Sequence, residues 1–159
     1  MSLKELRARI ERDVFQCGTP RVLEISLGTF SRKKVTGEMR VGNKHINRSG
    51  RVNGGAIMAF ADVLGAMGTV ANLPPGHRTT TLESKTNFFA AGEGPLLKAV
   101  SVPLHIGRTT MVWQTTIHNP DGRKVAIVTQ TQIVIPAKAE AASDSARTVS
   151  AKLKRRRKQ

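Results

Sequence analysis

With 159 residues and 39% apolar content, the chain carries enough material for one modest core and not for two domains. Five Phe, one Trp and no Tyr leave too few rings for a base-stacking surface, and the lone Cys17 excludes an intrachain disulfide. A net charge of +15 favours polyanionic partners, whether nucleic acid, anionic membrane or a phosphorylated small molecule, without choosing among them.

Ser2-Leu3-Lys4-Glu5 has the S-x-x-E form of a capping box, and Leu3, Leu6, Ile10 and Val14 follow at helical spacing. A short amphipathic helix is therefore predicted over about residues 3–15, ended by Gly18-Thr19-Pro20. The same stretch lacks the continuous apolar run of a secretory signal, so the expected location is the cytoplasm. Leu23, Ile25 and Leu27 alternate with polar residues, as do Val35, Gly37, Met39 and Val41, which predicts two antiparallel strands joined over Gly28 to Lys34.

A loop from Gly42 to Arg51 follows, and then a segment from Asn53 to Gly68 in which Ile57, Phe60, Ala61 and Leu64 form one apolar stripe at i, i+3, i+4 and i+7. That pattern predicts a helix despite its glycines, which cost helix propensity and suit close approach by a curved sheet and a partner. Asn53, Asp62 and the glycines make the segment a poor membrane span, so none is expected.

Leu73-Pro74-Pro75-Gly76 stops the helix, and four strands are predicted at Thr79–Ala90, Pro95–Ile106, Thr109–Asn119 and Arg123–Pro136, with Asn119-Pro120-Asp121-Gly122 as a hairpin turn. In the last strand Val125, Ile127, Thr129, Thr131, Ile133 and Ile135 share one face, expected to be the buried one, and Gln130 and Gln132 the wetter one. The order helix, two strands, long helix, four strands reads as α+β: a single antiparallel sheet covered by one helix. Domain organisation is then one domain over 1–136 and a basic tail over 137–159 that is too poor in apolar residues to fold alone. Eight of the 26 basic residues lie in that tail, so the domain itself is still basic, and a nucleic-acid partner could come only through the tail.

The segment His45-x-Asn47-x-x-Gly50-x-x-Asn53-Gly54-Gly55, followed by Ala61-Asp62, resembles the signature of phenylacetate-pathway-type hotdog thioesterases, and the resemblance runs from about Arg21 to Pro136. The usual form is H-x-N-x-x-G-x-x-H-G-G with an acid eight residues after the first glycine of the pair; here Asn53 stands where histidine is usual. The resemblance implies a hotdog fold, with a curved sheet wrapped around the long helix, and hydrolysis of an acyl-coenzyme A with no metal or other cofactor. It implies that the Gly54 N–H polarises the thioester carbonyl, that Asp62 is general base or nucleophile, and that Asn47, Asn53 and Thr80 assist. His45, Gly55, Thr81 and Arg108 would contact substrate, with Thr80 and Thr81 exchangeable by one register step and Arg108 set against coenzyme A phosphates.

The residues also admit plainer readings. Asp62 could be a solvent-facing helix aspartate, Asn47 a turn cap, Asn53 the helix N-cap, the threonines β-branched strand residues and Arg108 a solvated turn arginine. Geometry adds a constraint of its own, since eight helical residues separate Gly54 from Asp62 by about 12 Å, too far for one carbonyl to touch both. If both serve one reaction, each site combines two protomers, which calls for a homodimer or a dimer of dimers. A non-catalytic acyl-coenzyme A-binding module with an anion-binding tail is the alternative that the Asn53 substitution leaves open. P-loop, dinucleotide-fold and Gly-x-Ser-x-Gly motifs are all missing.

Overall fold

The computed structural model describes residues 1–136, so the predicted basic tail lies outside the described residues. Helix α1 (Leu3–Asp13) opens on the expected capping box: the Ser2 hydroxyl accepts from Glu5 N (3.2 Å) and the Glu5 carboxylate from Ser2 N (2.7 Å). It ends earlier than the spacing predicts, because Val14 and Phe15 both turn their N–H groups onto the Ile10 carbonyl and Phe15 folds under into the core. A one-turn helix, α2 (Gly18–Val22), then occupies the stretch expected only to end the first helix, with Pro20 in its first turn where a missing N–H is tolerated.

Strands β1 (Ile25–Phe30), β2 (Val35–Arg40), β3 (His77–Phe88), β4 (Leu96–Ile106), β5 (Thr110–His118) and β6 (Lys124–Pro136) form one sheet in the order β1-β2-β4-β5-β6-β3, every pair antiparallel. Helix α3 (Gly54–Val70) lies in its concave face, making this the hotdog arrangement that was expected. The predicted stripe is the one that packs. Ile57, Phe60, Ala61 and Leu64 are 0–2% exposed and meet Val35, Met39, Leu97, Ala99, Ile117, Val125, Ala126 and Val128 from the sheet. The β5–β6 turn also forms as read, Gly122 N donating to Asn119 O (3.0 Å) with Gly122 at φ +84°.

Beyond Val125, which is buried as expected, the faces of β6 are reversed from expectation. Gln130 and Gln132 are fully buried against α3, while Ile127, Ile133 and Ile135 are half-exposed on the convex side. Hydrophobicity alone misreads this strand because the amide nitrogens of both glutamines find acceptors inside, Gln130 Nε2 on Asp62 and Gln132 Nε2 on Thr81, which offsets much of the cost of burying them. The helical glycines have a matching cause: a Cβ on Gly65 would lie 2.4 Å from the Gln130 side chain, and one on Gly68 would lie 2.6 Å from the Trp113 ring.

Candidate active site

Two candidate groups lie on α3, the Gly54 N–H and the Asp62 carboxylate, and each is set up by its own neighbours. At the N-terminus Asn53 is the N-cap, its Oδ1 accepting from Gly55 N (2.7 Å). That leaves the Gly54 N–H, at the first helical position, with no protein acceptor among the described residues, where the helix dipole is positive. Gly54 is half-exposed and the Phe88 ring lies over it: a Cβ there would be 3.2 Å from the ring's Cζ.

The loop before α3 is held by residues that the sequence placed nearer the substrate. The His45 ring is completely buried; its Nδ1 accepts from Gly42 N (3.0 Å) and its Nε2–H donates to Leu23 O (3.0 Å). With both nitrogens taken by backbone, His45 positions the loop instead of touching a ligand, and its own carbonyl accepts from Asn53 N (2.7 Å). Asn47 is likewise a turn residue, its Oδ1 accepting from Ser49 N (2.9 Å) and Arg51 N (3.2 Å).

Two turns further along, Asp62 is half-buried and faces β3 and β6. Its Oδ1 accepts from the Thr81 hydroxyl (2.8 Å) and, at 3.3 Å, from Gln130 Nε2, which also reaches the Asp62 main-chain carbonyl (3.3 Å). Gln132 Nε2 donates to Thr81 Oγ1 (2.8 Å), so a directed chain of donors runs Gln132, Thr81, Asp62, with the Thr79 hydroxyl beside it between Gln132 Oε1 (3.1 Å) and Ile133 O (2.9 Å). Oδ2 has no protein partner among the described residues and is free to take a proton or attack a carbonyl. Of the two threonines, Thr81 is the one that reaches Asp62, and Thr80 is exposed.

Gly54 and Asp62 stand at opposite ends of two uninterrupted helical turns, as the spacing required. An open cavity of about 410 Å³ flanks the N-terminal end, lined by Val22, Leu23, Asn53, Gly55, Ala56 and Lys44. Lys44 Nζ meets Glu24 Oε1 (2.7 Å) and holds that carboxyl below the usual carboxylate range. Arg108 sits exposed in the β4–β5 turn. Register places that turn beside Ile133 and Thr80, at the far end of the sheet from Phe88 and Gly54 of the same chain. Among the described residues no three of His, Cys, Asp and Glu come together.

Sequence reading missed Gln130, Gln132 and Phe88. The signal available for the glutamines was Gly65, a glycine in mid-helix that makes room for the Gln130 amide. Gln130 Oε1 is buried without a partner, so replacing the amide by a thioether of similar length removes an unsatisfied atom along with the donor to Asp62. The expected result for Gln130→Met is a thermal midpoint that holds or rises together with a kcat about tenfold lower at similar KM, read from melting curves and steady-state kinetics. A fall in stability with unaltered kcat would make Gln130 a packing residue only.

The thioesterase superfamily matches residues 49–126 of this chain. The putative esterase PA1618 of Pseudomonas aeruginosa is 28% identical over 116 residues, covering 72% of this chain and 80% of the relative. The crystal structure of a mutant of thioesterase PA1618 superposes with a TM-score of 0.73 at 26% identity, over 86% of this chain and 95% of that one. A hypothetical thioesterase from Streptococcus pneumoniae, crystallised with coenzyme A, superposes with a TM-score of 0.65 at 26% identity, over 72% of this chain and 88% of that one.

Proposed function

This chain belongs to the thioesterase superfamily, and from that premise we propose that it hydrolyses an acyl-coenzyme A to the free acid and coenzyme A, at a site shared between two protomers. The observation that carries the reading is the pairing on one helix of an N–H at Gly54 and a carboxylate oxygen, Oδ2 of Asp62, that both lack a protein partner among the described residues, while Thr81 and Gln130 fix the other carboxylate oxygen. In this reaction the thioester carbonyl lies against the Gly54 N–H of one protomer, which stabilises the oxyanion as it forms. Asp62 of the other protomer takes a proton from water as the water oxygen bonds to the carbonyl carbon, or bonds to that carbon itself. The C–S bond breaks and coenzyme A leaves as thiolate and recovers a proton; with water as the attacking group the acyl group leaves directly as a carboxylic acid, and with Asp62 as the attacking group it leaves once water cleaves the mixed anhydride and restores the Asp62 carboxylate. Asn53 has no group that can shuttle a proton as histidine would, and its oxygen is engaged as the cap, so its part is to fix the helix start. Thr81 and Gln130 hold the carboxylate; Gly55 and Arg108 are assigned to the substrate side.

Support for two protomers comes from surfaces that one chain leaves uncovered. Strand β3 is a sheet edge with Leu82 59% and Phe88 51% exposed, and beside it α3 shows a half-exposed stripe of small residues, Ala56, Ala59, Val63 and Ala66. Two such helices related by a two-fold axis through the neighbourhood of Met58, midway between residues 54 and 62, bring each Gly54 to the partner's Asp62. The half-exposed isoleucines of β6 suit a further dimer of dimers. No helix among the described residues is long and apolar enough to cross a membrane. The lone cysteine fits a reducing compartment, and the cytoplasm is the location proposed.

The test is thiol release from a panel of aryl-, short-chain and medium-chain acyl-coenzyme A substrates, with the molar mass measured in the same buffer. Turnover on at least one substrate by an even-numbered oligomer is the expected result. Binding of acyl-coenzyme A without any thiol release would leave the non-catalytic binding module as the better account, and a monomer with full turnover would exclude the shared site.

A further inference from the structure

Away from the Gly54–Asp62 site, α1 does not close fully on the C-terminal end of α3. Between them and the start of β3 lies a cavity of about 830 Å³, inside the range of roughly 300–1,000 Å³ typical of small-molecule sites. Its lining is mixed: Leu6, Ile10, Val70 and Leu73 give it an apolar side, and Arg9, Arg32 and Arg78 a basic one, with Thr79 at its border toward the Asp62 hydrogen-bond set. The acid in the lining, Asp13, is already committed: it lies 2.8 Å from Arg12 Nε and 3.6 Å from Arg9 Nε. Among the described residues Arg32 and Arg78 make no ion pair, so the cavity combines an apolar floor with two uncompensated guanidinium groups.

That combination discriminates between ligand classes. A neutral lipid would fill the floor and leave both guanidinium groups without an anion. A small inorganic anion would meet the arginines and leave the apolar walls uncovered. We infer that the cavity between α1, the end of α3 and the start of β3 binds an amphiphilic monocarboxylate, with the tail against Leu6, Ile10, Val70 and Leu73 and the carboxylate on Arg32 and Arg78. Guanidinium suits this role because its planar donors match both carboxylate oxygens at once. The inference does not rest on the hydrolase reading, since none of these residues belongs to the proposed reaction.

Decanoate titrated into the full-length protein by calorimetry, with decanol as the neutral counterpart, tests it. Saturable binding of decanoate at one site per chain is expected, with decanol at least about tenfold weaker, the scale of losing a charge-assisted contact. The Arg32→Gln/Arg78→Gln double variant, whose changes fall on exposed side chains, should lose decanoate affinity by a similar factor while Asp62→Asn retains it. Equal affinity for decanoate and decanol, an unaffected double variant, or loss of binding in Asp62→Asn would each overturn the site. If the wild type binds decanoate in this pattern yet releases no thiol from any thioester, the cavity stands and the hydrolase reading falls.

Discussion

Asp62→Asn is expected to lower kcat for thioester hydrolysis by about 10²–10⁴-fold, the usual contribution of a positioned general base, while leaving the fold intact. The substitution is nearly isosteric and keeps an oxygen at the Oδ1 position, so the donors from Thr81 and Gln130 retain their acceptor. What it removes is the free carboxylate oxygen that accepts a proton or attacks the carbonyl. Asp62→Ala should show the same loss of turnover with some loss of stability, because Thr81 and Gln130 are then left without that partner. Matching thermal midpoints for wild type and the Asn variant, together with the kinetics, separate chemistry from folding. A loss smaller than about tenfold in both variants would remove Asp62 from the reaction.

Replacing Gly54 by proline is expected to cost about 10²–10³-fold in kcat, as the loss of one oxyanion donor does elsewhere, whereas Gly54→Ala keeps most of the activity. Proline deletes the N–H and is tolerated at the first position of a helix. It also restricts the residue before it to extended backbone, and Asn53 is already extended at φ −62° and ψ 135°. Alanine retains the N–H and asks only that the exposed Phe88 ring give by a few tenths of an ångström. The two deficient chains then report on the shared site. Mixed dimers of Gly54→Pro and Asp62→Asn contain one intact combination, so equal mixing of unfolded and refolded chains should restore about a quarter of wild-type turnover. No recovery, with mixed dimers verified by mass, would place both groups' work within one chain.

Much of the scaffold for these experiments was legible from spacing. The capping box at Ser2 and Glu5, the stripe Ile57, Phe60, Ala61 and Leu64, and the turn at Asn119 to Gly122 are local patterns, read from residues within one or two turns of each other. Gly54 and Asp62 were singled out by resemblance, and their separation was equally readable, because helical rise fixes it whatever packs around them. Other residues were assigned to the wrong neighbourhood. His45 was expected beside substrate and is instead sealed between Gly42 and Leu23, a contact across 22 positions of sequence that no local pattern encodes. Thr80 and Thr81 are chemically identical, and only the register of β3 against β6 and the facing of α3 select Thr81.

The sequence by itself determined the class of fold and the long glycine-bearing helix, since period and capping are properties of short stretches of chain, while the candidate pair Gly54 and Asp62 was implied by the motif's resemblance to hotdog thioesterases. Tertiary structure alone decided which face of β6 is inside. Alternation shows that two faces differ, but the inner one is chosen by whether its polar groups find partners, and the partners of Gln130 and Gln132 are Asp62 and Thr81, about 50 to 70 residues away along the chain.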